Sequence, residues 1–371
     1  MQEAALVAWA LLWFLAWAAW TLLRLPFTAW QQLAHTQSRK RLFNGLLAMH
    51  EGRHARAAAL LAKAAEDSAT ETVARLAARE AALRRGDLAG AALQLSALAR
   101  REPLLAAIES AEALLAQGAG KAALDVLQPW QSLPPRALRL RGEALIASGR
   151  ASEALPLLAT LAREGEDAEA LAVLEQRWQA AALTQSAHAD ELQQRWQALS
   201  ASLREQPGLL RAYAVRAGAL GLEAEAALAL GEALERNWDQ SLLPTYAELP
   251  TAREDARLAR ARSWLDAHPD SAALALALGQ LCLRAQQLGP AEEVLTRAIA
   301  QGAGAPAWEE LGHVYTARDD AARAQHCYAN ALRMLHGSAA IPLSGRSLRE
   351  QIADEAVAEQ RDELGLPRLR G

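Results

Sequence analysis

His50 and His54 are the first pair in this chain whose types and spacing suit chemistry. Four residues apart on one helix, they would share a face and could hold a metal ion. Gly52 between them marks a turn that parts the two rings, so a structural or surface role is the favoured reading. His326 adjoins Cys327, and sequence neighbours lie on different sides of a helix. The two cysteines, Cys282 and Cys327, make neither a disulfide framework nor a zinc quartet. Each falls at an apolar-patterned helical position, so both read as buried thiols. Leu283 and Tyr328 follow them, which excludes a Cys-Pro haem-sensing pair. No nucleophile elbow occurs. Gly118-Ala119-Gly120 lacks the third glycine of a dinucleotide loop. The carboxylates are spread as solvated helix faces. No catalytic, cofactor-binding or metal-binding residue is assigned, and the chain reads as a non-enzyme.

The elements that would position any site are helices. Of 371 residues, 52% are apolar and only 5% aromatic, and Ala and Leu dominate the apolar share. These are strong helix formers, while strand-favouring Ile and Thr are scarce. A net charge of −4 weighs against nucleic acid as a partner.

The chain repeats itself. Trp308, Leu311, Gly312 and Tyr315 on one helix, then Ala324, Tyr328 and Ala331 on the next, match the tetratricopeptide pattern at its offsets. Small Gly312 and Ala324 let two antiparallel helices approach, with the aromatics filling the space around the crossing. Leu278, Gly279, Cys282, Ala291, Leu295 and Ala298 take the same roles 33 residues upstream. Gly45, Gly52, Ala57, Leu61 and Ala64 form another unit, and Gly86, Ala91, Leu95 and Pro103 the next. Weaker copies follow at Gly118–Leu127, Gly142–Leu161 and Leu209–Leu234.

Ala4–Leu23 is a run of 20 residues without a charge, about 30 Å long as a helix and so able to span a bilayer core. Positive charges follow it at Arg24, Arg39, Lys40 and Arg41, and none precedes it, which favours an anchor over a cleaved signal peptide. The positive-inside rule then places the remainder in the cytoplasm, where this basic segment would meet anionic membrane lipid.

The expected fold class is therefore all-α: an N-terminal transmembrane helix followed by a tetratricopeptide-type α-solenoid of antiparallel helix pairs. The organisation reads as N-terminal residues 1–3, the transmembrane helix 4–23, a basic juxtamembrane segment 24–41 and a first sub-array 42–163. Irregular helices follow at 164–206, then a unit and connection at 207–250, a second sub-array at 251–338 and a C-terminal tail at 339–371. Partner-binding candidates are first-helix residues facing the concave side of such arrays: Gln280, Arg284, Glu309 and His313.

These features together resemble the HemY family of proteobacteria. The resemblance is carried by the hydrophobic N-terminus, the basic stretch, FNGLLAMHEGRHARAAALLAKAA (Phe43–Ala65), LALGEALERNWDQSLLPTYAEL (Leu228–Leu249) leading into the helix of Trp264, and the last two repeats. It implies a bacterial inner-membrane protein linked to a late stage of haem or porphyrin metabolism, with no established catalytic role. Its partners would be cytoplasmic or membrane-associated proteins, haem-pathway enzymes among them. Family members usually carry two membrane helices before the basic stretch, where this sequence shows one. The alternatives to a scaffold are a carrier that binds haem or porphyrin directly, for which the sequence holds no motif, and an envelope-assembly protein.

Overall fold

The computed structural model describes residues 35–250 and 254–343, together with Trp13. The described residues form helices and turns and no strand. The fold is all-α, with consecutive helices packed as antiparallel pairs of the tetratricopeptide type. The expected transmembrane segment 4–23 falls outside the described residues, apart from Trp13, and the tail lies outside them from residue 344. No helix of the described residues is long and apolar enough to cross a membrane. The chain divides into two compact units, Met1–Ala172 and Val173–Gly371.

In the first unit the pairs are α1 (35–50) with α2 (His54–Ala64), α3 (Glu71–Arg84) with α4 (Leu88–Arg101), α5 (Pro103–Ala116) with α6 (Gly120–Leu127), and α7 (Pro135–Ala147) with α8 (Ala151–Arg163). Start signals are local. Asp87 accepts a bond from the Gly90 N–H at 2.8 Å to cap α4, and Pro103 and Pro135 open α5 and α7. Gly52, at φ +75°, makes the turn between α1 and α2, a conformation that costs glycine little. The α1–α2 crossing depends on Gly45, where an added Cβ would stand 2.7 Å from Leu61 Cγ. Ala57, Leu61, Ala77, Ala78 and Ala81 bury the seam around it.

The second unit begins inside α9 (Ala168–Thr184) and continues through α10 (Ala189–Ala198), α11 (Ala201–Arg204), α12 (Pro207–Ala219) and α13 (Glu223–Arg236). The stretch Asn237–Pro250 folds as a 3-10 turn, Gln240–Leu242, and a six-residue helix, α14 (Leu243–Glu248). Pro244 starts α14, and Leu249, in extended conformation before Pro250, ends it. Then come α15 (Glu254–Ala267), α16 (Ala272–Arg284), α17 (Leu288–Ala300), α18 (Ala305–Ala317) and α19 (Ala321–Leu335). One continuous apolar core runs from Leu183 to Ala331. Trp238, Tyr246 and Trp264 meet within it, the Tyr246 and Trp264 ring centres 5.1 Å apart. At Gly279 an added Cβ would lie 2.4 Å from Leu295 Cδ2, and at Gly312 it would lie 2.6 Å from Tyr328 Cε1. The chain after α19 is tied back by Asn330. Its amide donates to the Ile341 carbonyl at 2.7 Å and accepts from the Ile341 N–H at 2.8 Å.

Candidate interaction surface

Within each unit the first helices of successive pairs also touch one another, α5 against α7 in the first, α14 against α16 and α16 against α18 in the second. In each unit, taken by itself, these helices form a wall with an outer face. The residues each wall presents differ.

In the first unit, α3, α5 and α7 enclose an open groove of about 640 Å³. Val73, Leu76 and Leu83 of α3 line one side, Glu112 and Ala116 of α5 the other, and Arg136 of α7 closes it. Val73 is 53% exposed and Leu83 41%, so this face of α3 presents two branched apolar side chains to the groove. Beneath them lies an ionic network. Arg79 is buried and pairs with Glu109, its second nitrogen donating to the Glu109 carbonyl at 3.1 Å. Arg136 reaches the other Glu109 carboxylate oxygen at 2.9 Å and also pairs with Glu112. Arg79 precedes Leu95 by sixteen residues, the offset that separates Gly45 from Leu61 and Gly279 from Leu295. A long charged residue thus stands where the pairs of Gly45 and Gly279 have a glycine, and Glu109 from the next pair neutralises it.

In the second unit the four candidates named from the sequence lie on α16 and α18. Gln280 donates to Glu310 Oε1 at 2.9 Å, and the other oxygen of Glu310 lies 3.2 Å from His313 Nδ1. The His313 ring meets Tyr328 edge-on at 5.6 Å. Gln280 and His313 are therefore joined through Glu310, which the sequence reading did not single out. Glu309 is exposed on α18. Arg284 donates to the carbonyls of Ala247 at 2.7 Å and Leu249 at 3.2 Å, closing the C-terminal end of α14.

The other singled-out residues fall as follows. Arg39 and Lys40 are exposed on α1, Arg41 is half-buried there, and Arg24 lies outside the described residues. His50 ends α1 and His54 opens α2, on either side of the turn. Among the described residues no group of three His, Cys, Asp or Glu side chains is arranged to hold a metal. Cys282 and Cys327 are buried. Burial pushes both thiols up, that of Cys327 to about 12 with Asp320 and Glu292 adding to the effect. His326 lies 2.9 Å from the Ile341 carbonyl, on the returning tail.

The groove of the first unit was not found by sequence reasoning. Its only sequence signal is that Val73, Leu76 and Leu83 recur along α3 at spacings of three and seven, off the face formed by Ala74, Ala77, Ala78 and Ala81. No family model matches the chain, and no curated protein does. Solved structures with some similarity include the APC/C hetero-tetramer Cut9-Hcn1, at 17% identity over 82% of this chain and 68% of that one, with a TM-score of 0.33. The human IFIT1 dimer with PPP-AAAA is similar at 15% identity over 76% and 69%, TM-score 0.31. Yeast Tom70 follows at 11% over 80% and 69%, TM-score 0.29. At this overlap the likenesses carry no weight for function.

Proposed function

We propose that this chain is a membrane-anchored scaffold for protein partners, of the kind its resemblance to the HemY family implies. Its array would hold enzymes of a late step of haem (protoheme or porphyrin) biosynthesis at the bacterial inner membrane, from the cytoplasmic side. The observation that supports a scaffold is the open wall of the first unit, where Val73 and Leu83 stand exposed beside the buried Arg79–Glu109 ion pair. Such a surface offers apolar contact area with charges at its rim, the composition that protein recognition uses. The anchor rests on the uncharged run Ala4–Leu23 and the bases that follow it.

The test is complementation of a strain lacking the protein, read as haem content and porphyrin accumulation. One variant lacks Met1–Leu23. A second carries Val73→Asp with Leu83→Asp, both at exposed positions that leave the core intact. Repeat arrays bury their own core through neighbour contacts, so both variants should fold, as circular dichroism would record. A scaffold acts by raising local concentration, so neither should restore function. Full rescue by the truncated chain at matched expression contradicts the anchored scaffold. Full rescue by the Val73/Leu83 variant removes the groove as the contact surface.

A further inference from the structure

The first helix of the array is unusual in what it leaves uncovered. On α1 the residues Arg39, Lys40, Phe43, Leu46, Leu47 and His50 fall, at about 100° per residue, within one arc of about 120°. Phe43 is 68% exposed, Leu46 41% and Leu47 46%. The opposite side carries buried Ser38, Gly45 and Ala48. The repeat register shows why Leu47, at the edge of this face, is open. Leu47 lies two residues after Gly45, as Val314 lies two after Gly312, and Val314 is fully buried. In α18 that edge packs on the preceding pair, as buried Ala307, seven residues before Val314, shows, and in α1 no described pair precedes it. Glu310 and His313, which match Phe43 and Leu46 in register, are not buried in α18 either.

We propose that this face of α1 lies against an anionic lipid surface, so that the array is held flat at the membrane rather than only tethered to it. This rests on the reading of Ala4–Leu23 as a membrane anchor. Two observations name lipid as the occupant. The first is the order of side chains along the face. Arg39 and Lys40 come first, at the end of the helix nearer the anchor, and Phe43, Leu46 and Leu47 follow. Bases beside a row of bulky apolar side chains are what an interfacial helix presents, the bases meeting head-group phosphates and the apolar groups entering the acyl boundary. The second is reach. Eleven residues separate Leu23 from His35, at most about 40 Å of extended chain. A tether of that length confines α1 to the neighbourhood of the bilayer, and even weak affinity of the face then becomes occupancy.

The experiment uses the full-length chain reconstituted into vesicles of phosphatidylcholine, with and without phosphatidylglycerol. An environment-sensitive fluorophore is attached at Phe43→Cys and, as control, at Leu93→Cys, which is 66% exposed on α4. The native cysteines are buried, so the introduced thiol takes the label. The Phe43 label should shift to the blue and be quenched by a lipid-borne quencher when phosphatidylglycerol is present, and the Leu93 label should not. Arg39→Gln or Lys40→Gln should each reduce the docked-to-undocked ratio roughly fivefold, the equivalent of about 1 kcal/mol per basic residue near such a surface. A Phe43 label that matches the Leu93 control in both lipids, on protein that alkaline carbonate fails to extract, overturns the proposal while leaving the anchor standing. Extraction by carbonate overturns the anchor reading, and the label emission still decides whether the face binds lipid.

Discussion

Replacing Gly279 by alanine adds one methyl group to α16, and its cost can be worked from the geometry. The new Cβ would stand 2.4 Å from Leu295 Cδ2 and 2.5 Å from Leu295 Cγ. Leu295 is fully buried, and Cγ is not a side-chain tip, so the clash is relieved only by moving α17 or forcing Leu295 off its rotamer. Overpacking of this kind costs about 1–3 kcal/mol. Alanine in mid-helix returns about 0.5–1 kcal/mol of backbone entropy. The net expectation is a loss of about 1–2 kcal/mol. Gly312→Ala should cost less. Its nearest neighbour is the half-buried ring of Tyr328, which can swing outward at the loss of its 3.1 Å hydroxyl contact with Thr316. Gly289→Ala is the control, because no neighbouring atom would lie within 4 Å of the added Cβ, and it should be neutral or stabilising. Amide hydrogen exchange in the full chain reads the effect where it arises. The α16 and α17 amides should exchange about 5–30-fold faster in Gly279→Ala. If exchange there is unchanged or slower, as in Gly289→Ala, then the close crossing at Gly279 does not hold this pair together.

Arg79→Ala should destabilise the first unit measurably in urea. The loss should stay below the roughly 3–5 kcal/mol of a fully orphaned buried partner, because Arg136 still reaches Glu109. Arg284→Ala should cost about 1–2 kcal/mol and speed exchange in α14 and α16, since the Ala247 and Leu249 carbonyls lose a charged donor. The Glu71 carboxyl is held below its ordinary range, first by its hydrogen bond with Arg75 and then by Arg101, against an opposing contribution from desolvation. A carboxylate with a lowered folded-state pKa stabilises fully above its unfolded value and loses that contribution as pH falls through the folded one. Glu71→Gln should therefore lower stability at neutral pH, converge on the parent in acid and so flatten the acid limb of the stability curve, as urea melts across pH would show. Cys282 and Cys327 should resist iodoacetamide at pH 8 in the folded chain and react after denaturation, as mass spectrometry would show.

The local code for this fold is explicit in the sequence. Gly279 and Gly312, 33 residues apart and followed sixteen residues later by Leu295 and Tyr328 respectively, specify a close helix crossing by their spacing alone. Caps such as Asp87, Ser271 and Asp320, and prolines such as Pro103 and Pro207, mark where helices begin. These signals are readable because each acts within a few residues, or within one helix pair, and so leaves a fixed spacing. Gln280 and His313 could be placed on first helices for the same reason, yet their link through Glu310 crosses from one pair to the next. Other features were decided only by the tertiary structure. Arg79 breaks the small-residue pattern and is tolerated because Glu109 arrives from the following pair. Arg284 meets carbonyls of α14 more than thirty residues earlier. The groove at Val73 and Leu83, and the bare face at Phe43 and Leu47, follow from which neighbours are present to cover them. A spacing rule records which residues share a helix face. Whether that face is buried or open depends on the neighbouring helix, and that is a property of the packed array.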